Sequence, residues 1–425
     1  MALLTDLSRE ELLDRQRELR EQYDGYKARG LKLNMARGKP GPEQLELTED
    51  MLHCLHTRDG FEDEAGNDAR NYGQLAGIPE ARRLFGQVLG LDADNVIVGG
   101  NSSLNLMYDY IATAYAKGVG GQAPWCRQGK VKFLCPAPGY DRHFAITEYF
   151  GIEMLTVPMT ETGPDMDLVE KLAADPLVKG IWCVPMYSNP GGVTYSDETV
   201  RRLAAMETAA PDFRIMWDNA YGLHHLSAEH DHLLDLYAET VKYGHEDRAI
   251  YFCSTSKISF PGAGVAAMGA SPANIAEILS RMTVQIISYD KLNMLRHVRY
   301  FRDLEGLQAH MEKHAAVLRP KFAVVLSTLE KELGGKGVAR WHSPRGGYFV
   351  SVDLMEGTAK RTVALLKEAG VTVTGAGATY PYGKDPRDSN LRIAPTYPLV
   401  PELKVAMALF AVCAELAAVE KLLGA

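Results

Sequence analysis

Long apolar runs are missing from this 425-residue chain. The most apolar stretch, "VAMALFAVCAELAAVEKLL" near the C-terminus, is broken by Glu415 and Glu420 into pieces too short to span a bilayer. That excludes a membrane anchor there and predicts a helix packed on a core. A signal-type apolar segment is equally missing at the N-terminus, where Ser8 and Glu11 form a capping box ahead of a polar, charged helix. Cysteine is scarce: six residues, at positions 54, 126, 135, 183, 253 and 413, include no C-x-x-C pair. They predict reduced thiols in a cytosolic compartment, several of them buried in strands. Positive charge is in deficit, and the net charge of −8 argues against a nucleic-acid partner, whose phosphates want a basic face. No low-complexity tract and no internal repeat is present. With 46% hydrophobic and 24% charged residues, the composition is that of a soluble globular protein of two or three packed units.

What is present is one recurring theme: a short β-branched or aromatic run, a turn rich in Gly, Pro or Asn, then a helical segment. The runs are "NVIVGG", "KFLCPAPGY", "IWCVPMYSNPGG", "FRIMWDNAYG", "AIYFCSTSK" and "GVAAMGAS". Strands alternating with helices predict a largely parallel sheet covered on both faces. Such sheets bind ligands at the carboxyl ends of their strands. Polar residues gather at those ends: Asn101–Ser103, Tyr140, Asn189, Asp218 with Tyr221, and Ser254–Lys257. Beyond about residue 300, long helices and the strand "RGGYFVSVDL" predict a second unit with its own small sheet.

The loop "CSTSKISFPGAGV" sets one lysine, Lys257, among small hydroxyl residues and admits two readings. "GAGVAA" formally fits a dinucleotide loop, but that motif needs a helix starting within it and an acid about 20 positions on. Here "VAAMGAS" reads as a strand, Glu277 comes too early and Asp290 too late. The other reading is an imine between the lysine and an aldehyde cofactor, of which pyridoxal phosphate is the common one. A free lysine titrates at about 10.4, so its nitrogen needs a special site to be a nucleophile. Such a site also needs hydroxyls and N–H groups for a phosphate, and a carboxylate for the pyridine nitrogen. That last pair interacts by about 5 kcal/mol at ~3 Å and an effective dielectric near 20, before desolvation.

The strand-end residues resemble those of fold-type I, class I/II aminotransferases, and within them the aspartate aminotransferases with an "ARGKP" N-terminal motif. The matching pieces are "ARGKP" (36–40), "NYGQLAGIPEAR" (71–82), "GGNSSLN" (99–105), "PAPGYDRH" (136–143), "YSNPGG" (187–192), "DNAYG" (218–222), "STSK" (254–257), "YDKLN" (289–293) and "LRIAP" (391–395). They run in family order over nearly the whole chain. The resemblance implies a large domain with a mixed, mostly parallel seven-stranded sheet between helices, plus a smaller α+β domain. The expected division is an N-terminal helical arm over 1–30, a small domain over 31–48 and 306–425, and a large cofactor-binding domain over 49–305.

By that resemblance Lys257 forms the imine with pyridoxal 5'-phosphate and then acts as base. Asp218 pairs with the pyridine nitrogen, while Tyr221 and Asn189 donate to the phenolic oxygen. Tyr140 stacks on the ring. Gly100, Asn101, Ser102 and Ser103, opening a helix, hold the phosphate with Ser254. Tyr72 reaches the phosphate of a neighbouring subunit, which implies a homodimer with shared sites. Arg392 grips the substrate α-carboxylate as a bidentate pair, with Asn189 beside it. A dicarboxylate substrate needs a second cation, for which Arg37, next to Gly38, leads and Arg142 and Arg296 follow.

Several bland readings stand beside these: a turn at Asn189–Gly192, a helix cap at Ser102, core packing for Tyr140, and surface ion pairing for Arg37. One departure concerns the phosphate. Many family members carry an arginine seven or eight positions after the lysine, where this chain has Gly264 and Val265. Lys291 is the expected substitute, from this or the other subunit, against the alternative of an ordinary surface helix charge. His53 with His56, and His225 with His230 and His232, have loose metal-like spacings, and no metal site is expected.

The functional expectation is transfer of an amino group between aspartate and 2-oxoglutarate by a ping-pong mechanism in a cytoplasmic enzyme. The alternatives are an aminotransferase of aromatic, alanine or kynurenine type, or a C–S β-lyase on the same fold. A regulator with an aminotransferase-like domain would carry a DNA-binding module ahead of "ARGKP", where only about 30 residues stand.

Overall fold

The computed structural model describes residues 3–424. Thirteen strands are formed among them: β1 (Leu33–Asn34), β2 (Val96–Val98), β3 (Lys132–Ala137), β4 (Glu153–Thr160), β5 (Gly163–Pro164), β6 (Val178–Cys183), β7 (Arg214–Asp218), β8 (Ala249–Ser254), β9 (Ala266–Gly269), β10 (Ala339–Trp341), β11 (Val350–Leu354), β12 (Val371–Thr372) and β13 (Asn390–Ile393). The large sheet has the order β2-β9-β8-β7-β6-β3-β4-β5. Its centre, from β4 to β8, is parallel, while β9 runs antiparallel to both β8 and β2. The expected seven strands are therefore present, with the two-residue β5 folded back on β4 as an eighth. Strands β2, β6 and β7 are buried at every position, because helices cover both faces of the sheet. Two apolar clusters mark those faces, one around Leu134, Ile215 and Ala249, the other around Phe133, Met216 and Ile250.

A third apolar cluster joins the small sheet β10-β11-β13 to the helices Leu304–Leu333 and Val400–Leu423. The C-terminal helix is buried at every residue from Leu409 to Glu420. Its two glutamates survive there as clamps. Glu415 accepts from Arg15 at 2.7 Å and Lys336 at 2.8 Å, and Glu420 pairs with Arg20 and Arg361. Unpaired, each would be an expensive buried charge. The helix Arg9–Lys27 begins at the expected capping box, with Ser8 Oγ accepting from Glu11 N. It lies along the C-terminal helix of its own chain and contributes Leu12, Leu19 and Tyr23 to the third cluster. Segment 31–48 returns to the same unit through the parallel pairing of β1 with β12. No helix among the described residues is long and apolar enough to cross a membrane.

Candidate active site

The loops leaving β2, β3, β6, β7 and β8 converge on one connected space. An inner chamber of about 160 Å³ is lined by Ser102, Ser103, Tyr140, Asn189, Asp218, Tyr221, Ser254, Ser256 and Lys257. An outer chamber of about 390 Å³ shares Tyr140, Asn189, Tyr221 and Lys257 with it and adds Arg37, Gly38, Asp141, Arg142, Phe349 and Arg392.

Lys257 follows β8 in a turn held from below. Val265 N donates to Thr255 Oγ1 at 2.9 Å, and Ser259 Oγ lies 2.9 Å from the same oxygen. His297 Nδ1 lies 2.8 Å from Asn293 O, a carbonyl that can only accept, so Nε2 is the acceptor for the Ser259 hydroxyl at 2.8 Å. Burial pushes His297 down to about 4, which keeps it in that neutral state. The Lys257 amine sits 5.0 Å from the centre of the Tyr221 ring. Burial lowers its pKa below the ordinary lysine range, Asp218 opposes the shift, and Arg392 adds to it.

Asp218 ends β7 and is buried. His143 Nε2 lies 3.0 Å from its Oδ2, and the imidazole stacks on Trp182 with centroids 4.3 Å apart. Trp182 donates to Thr147 Oγ1 at 2.8 Å, and that hydroxyl donates to His143 O at 2.9 Å. Asp218 Oδ1 is buried without a partner. A buried carboxylate oxygen left bare costs free energy unless a donor meets it, and a pyridinium N–H is such a donor. The helix Ser103–Lys117 opens with no side chain capping its first N–H groups, while four serines line the inner chamber beside it. That set suits a phosphate. The residues present thus fit pyridoxal phosphate. Tyr221 completes the fit: burial holds its phenol well above the usual range, so it stays a donor.

Arg392, on β13, donates from Nη1 to Asn189 Oδ1 at 3.1 Å and to Asp141 Oδ1 at 2.9 Å. Its guanidinium lies 4.9 Å from the centre of the Phe349 ring. Gly38 packs against the same ring, where an added Cβ would come within 2.4 Å. Arg37 and Arg142 are exposed at the outer chamber and form no ion pair among the described residues.

Other expected residues lie elsewhere. Asn101 turns its amide to Pro261 O at 3.4 Å, and Gly100 joins the sheet by accepting from Ala266 N at 2.7 Å. Tyr72 projects outward with 78% exposure. Lys291 is buried and lines neither chamber of its own chain. Its amine donates to Tyr72 O at 3.3 Å and Gln74 Oε1 at 3.4 Å, so it supports the loop that carries Tyr72. Arg296 reaches Ala263 O at 3.4 Å rather than either chamber. His225 and His230 stack face to face at 3.7 Å, and no group of three metal ligands forms among the described residues.

Sequence reasoning passed over His143, Asp141, Ser256 and Phe349. The available signal was positional: Tyr140 to His143 span the start of one helix, so a site claimed for Tyr140 extends to its neighbours.

A doubly wound sheet with a lysine and a buried carboxylate at neighbouring strand ends defines a fold-type I aminotransferase scaffold. The chain belongs to the aspartate amino-transferase family, whose model it matches over residues 7–425. It is 46% identical over 404 residues to the aspartate aminotransferase of Corynebacterium glutamicum, covering 95% of this chain and 93% of that one. The crystal structure of an aspartate transaminase from Corynebacterium glutamicum superposes with a TM-score of 0.96, at 45% identity and 99% coverage of both chains. The α-aminoadipate aminotransferase of Thermus thermophilus, solved with N-(5'-phosphopyridoxyl)-L-leucine, shares the fold at a TM-score of 0.72 and 20% identity, over 91% of this chain and 93% of that chain. The protein is an aminotransferase.

Proposed function

We propose that this aminotransferase binds pyridoxal 5'-phosphate at Lys257 and moves an amino group between aspartate and 2-oxoglutarate in two half-reactions. When bound, the coenzyme supplies an aldehyde and an electron-withdrawing ring. Asp218, held by His143, keeps the ring nitrogen protonated. Tyr221 and Asn189 would donate to the phenolic oxygen, and Tyr140 would lie beside the ring. Ser102, Ser103, Ser254, Ser256 and the helix start at Ser103 receive the phosphate. The amine of Lys257, its pKa lowered by burial, would take the proton from the substrate Cα. Arg392 receives the α-carboxylate.

The observation that carries the dicarboxylate reading is the pair of unpaired cations, Arg37 and Arg142, in the same chamber as Arg392. Two cations left free beside a substrate chamber fit a second carboxylate. Tyr72 exposed at 78%, Val284 at 91% and Ile287 at 62% fit a homodimer in which Tyr72 serves the other subunit's phosphate. A cytoplasmic location accords with the six free thiols.

The test is an assay with aspartate, alanine, phenylalanine and cystathionine, each with and without 2-oxoglutarate. Turnover of aspartate that requires the oxo acid is expected. Equal turnover without it would point to a lyase, and a preference for phenylalanine or alanine would remove the role of the second cation.

A further inference from the structure

The ion pair between Arg392 and Asp141 is unusual for its place. Arg392 rides on β13 of the small sheet, whereas Asp141 opens the helix after β3 and Asn189 stands on the loop after β6 of the large sheet, so the contact crosses the cleft between them. Asp141 is the first residue of the helix Asp141–Tyr149, where any acid is favoured by the helix dipole. It has an unpaired arginine, Arg142, as its chain neighbour. Its carboxylate nevertheless lies on Arg392, the side chain that faces the substrate. The two are unequally buried, with side-chain exposures of 35% for Asp141 and 8% for Arg392. At the same time Arg392 Nε is buried and has no partner.

We propose that Asp141 is a resident carboxylate that clasps Arg392 from the opposite wall and sets its selectivity for anions. It occupies the Nη1 corner together with Asn189 and leaves the Nε side of the fork for the substrate α-carboxylate. Its negative charge offsets part of the guanidinium's attraction. A free anion is therefore held weakly, and firm binding needs a second anchor, either the amino group at Lys257 or a distal carboxylate on another cation. Asp141 acts here as a positioning and selectivity residue. The inference rests on the reading of Arg392 as the α-carboxylate site.

Calorimetric titration of the coenzyme-saturated protein with maleate and with acetate, neither of which carries an amino or oxo group, tests it. Asp141→Asn keeps the size and removes the charge, and Asp141→Ser removes the carboxylate altogether. Both should bind acetate and maleate roughly two- to fivefold more tightly than the unaltered protein, about the worth of one partly exposed ion pair to Arg392. They should also narrow the gap between the two anions. Binding unchanged or weakened in both variants overturns the inference. Arg392→Lys separates the two levels: if it weakens both anions while the Asp141 variants fail to tighten them, only the clasp is wrong. If it leaves both anions unaffected, the α-carboxylate assignment falls and the clasp with it.

Discussion

Lys257 is expensive to place where it is. Lys257 is half-buried where the two chambers meet, and Asp218 only partly offsets the hydration its amine loses there. The pKa is lowered on folding, so below the ordinary lysine value the unfolded chain binds the proton more readily than the folded one. The destabilisation is complete in acid and fades as pH rises towards about 10.4. Lys257→Met should therefore raise the melting temperature of the coenzyme-free protein by a few degrees at pH 7, with the difference shrinking by pH 10. Thermal denaturation at the two pH values checks it, and a less stable variant at neutral pH would contradict it. His143 poses the converse case. In His143→Leu both oxygens of Asp218 lack a protein partner, and the transamination rate should fall about tenfold to a hundredfold. Steady-state kinetics at saturating substrate would show it, since the loss lies in kcat rather than KM.

Elements carry the next layer of the account. The start of the helix Asp141–Tyr149, with the residue before it, supplies Tyr140 to both chambers, Asp141 to Arg392, Arg142 to the outer chamber and His143 to Asp218. The turn after β8 is equally economical, and its glycine has a packing purpose. A Cβ on Gly264 would meet Thr255 Oγ1 at 2.9 Å and Phe260 O at 3.0 Å, which are the atoms that hold the lysine turn. Gly264→Ala should cost about 1–3 kcal/mol in stability and loosen coenzyme binding together with it. Denaturant unfolding and coenzyme titration measure the two effects.

At this scale the sequence was legible where burial made it uniform. Strands β2, β3, β6, β7, β8 and β9 stand out as short apolar runs because helices cover both their faces. Strand β4 does not. It lies near the sheet edge, alternates in burial and contains Pro158. The strand-end residues were visible because a strand end is where polarity replaces apolar monotony. His143 and Asp141 were not, since their partners Asp218 and Arg392 are 75 and 251 residues distant and nothing local marks the pairing. Lys291 shows the same limit from the other side. Its charge was noticed, but only the fold reveals that it holds the carbonyl of Tyr72.

Over the whole molecule, the unit that carries Arg392 is assembled from both ends of the chain. The N-terminal helix, the "ARGKP" segment and the last 120 or so residues pack together, with Glu415 and Glu420 as internal ties. Lys321, buried on the long helix, joins Glu43 at 2.7 Å and Thr396 O at 3.0 Å, fixing the chain on either side of the outer chamber. Val284, Ile287 and Tyr72 are among the large apolar side chains that a single chain leaves exposed. Val284→Glu with Ile287→Glu should convert a dimer into a monomer of low activity, as read by sedimentation and assay. A dimer that survives the double change would place the interface elsewhere.

The catalytic outcomes among these depend on which amine takes the coenzyme. Borohydride reduction of the protein incubated with pyridoxal phosphate, followed by digestion and mass spectrometry, reads that directly. The expected product is a single phosphopyridoxyl adduct on the peptide containing Lys257; an adduct confined to another lysine, or none at all, would contradict the account.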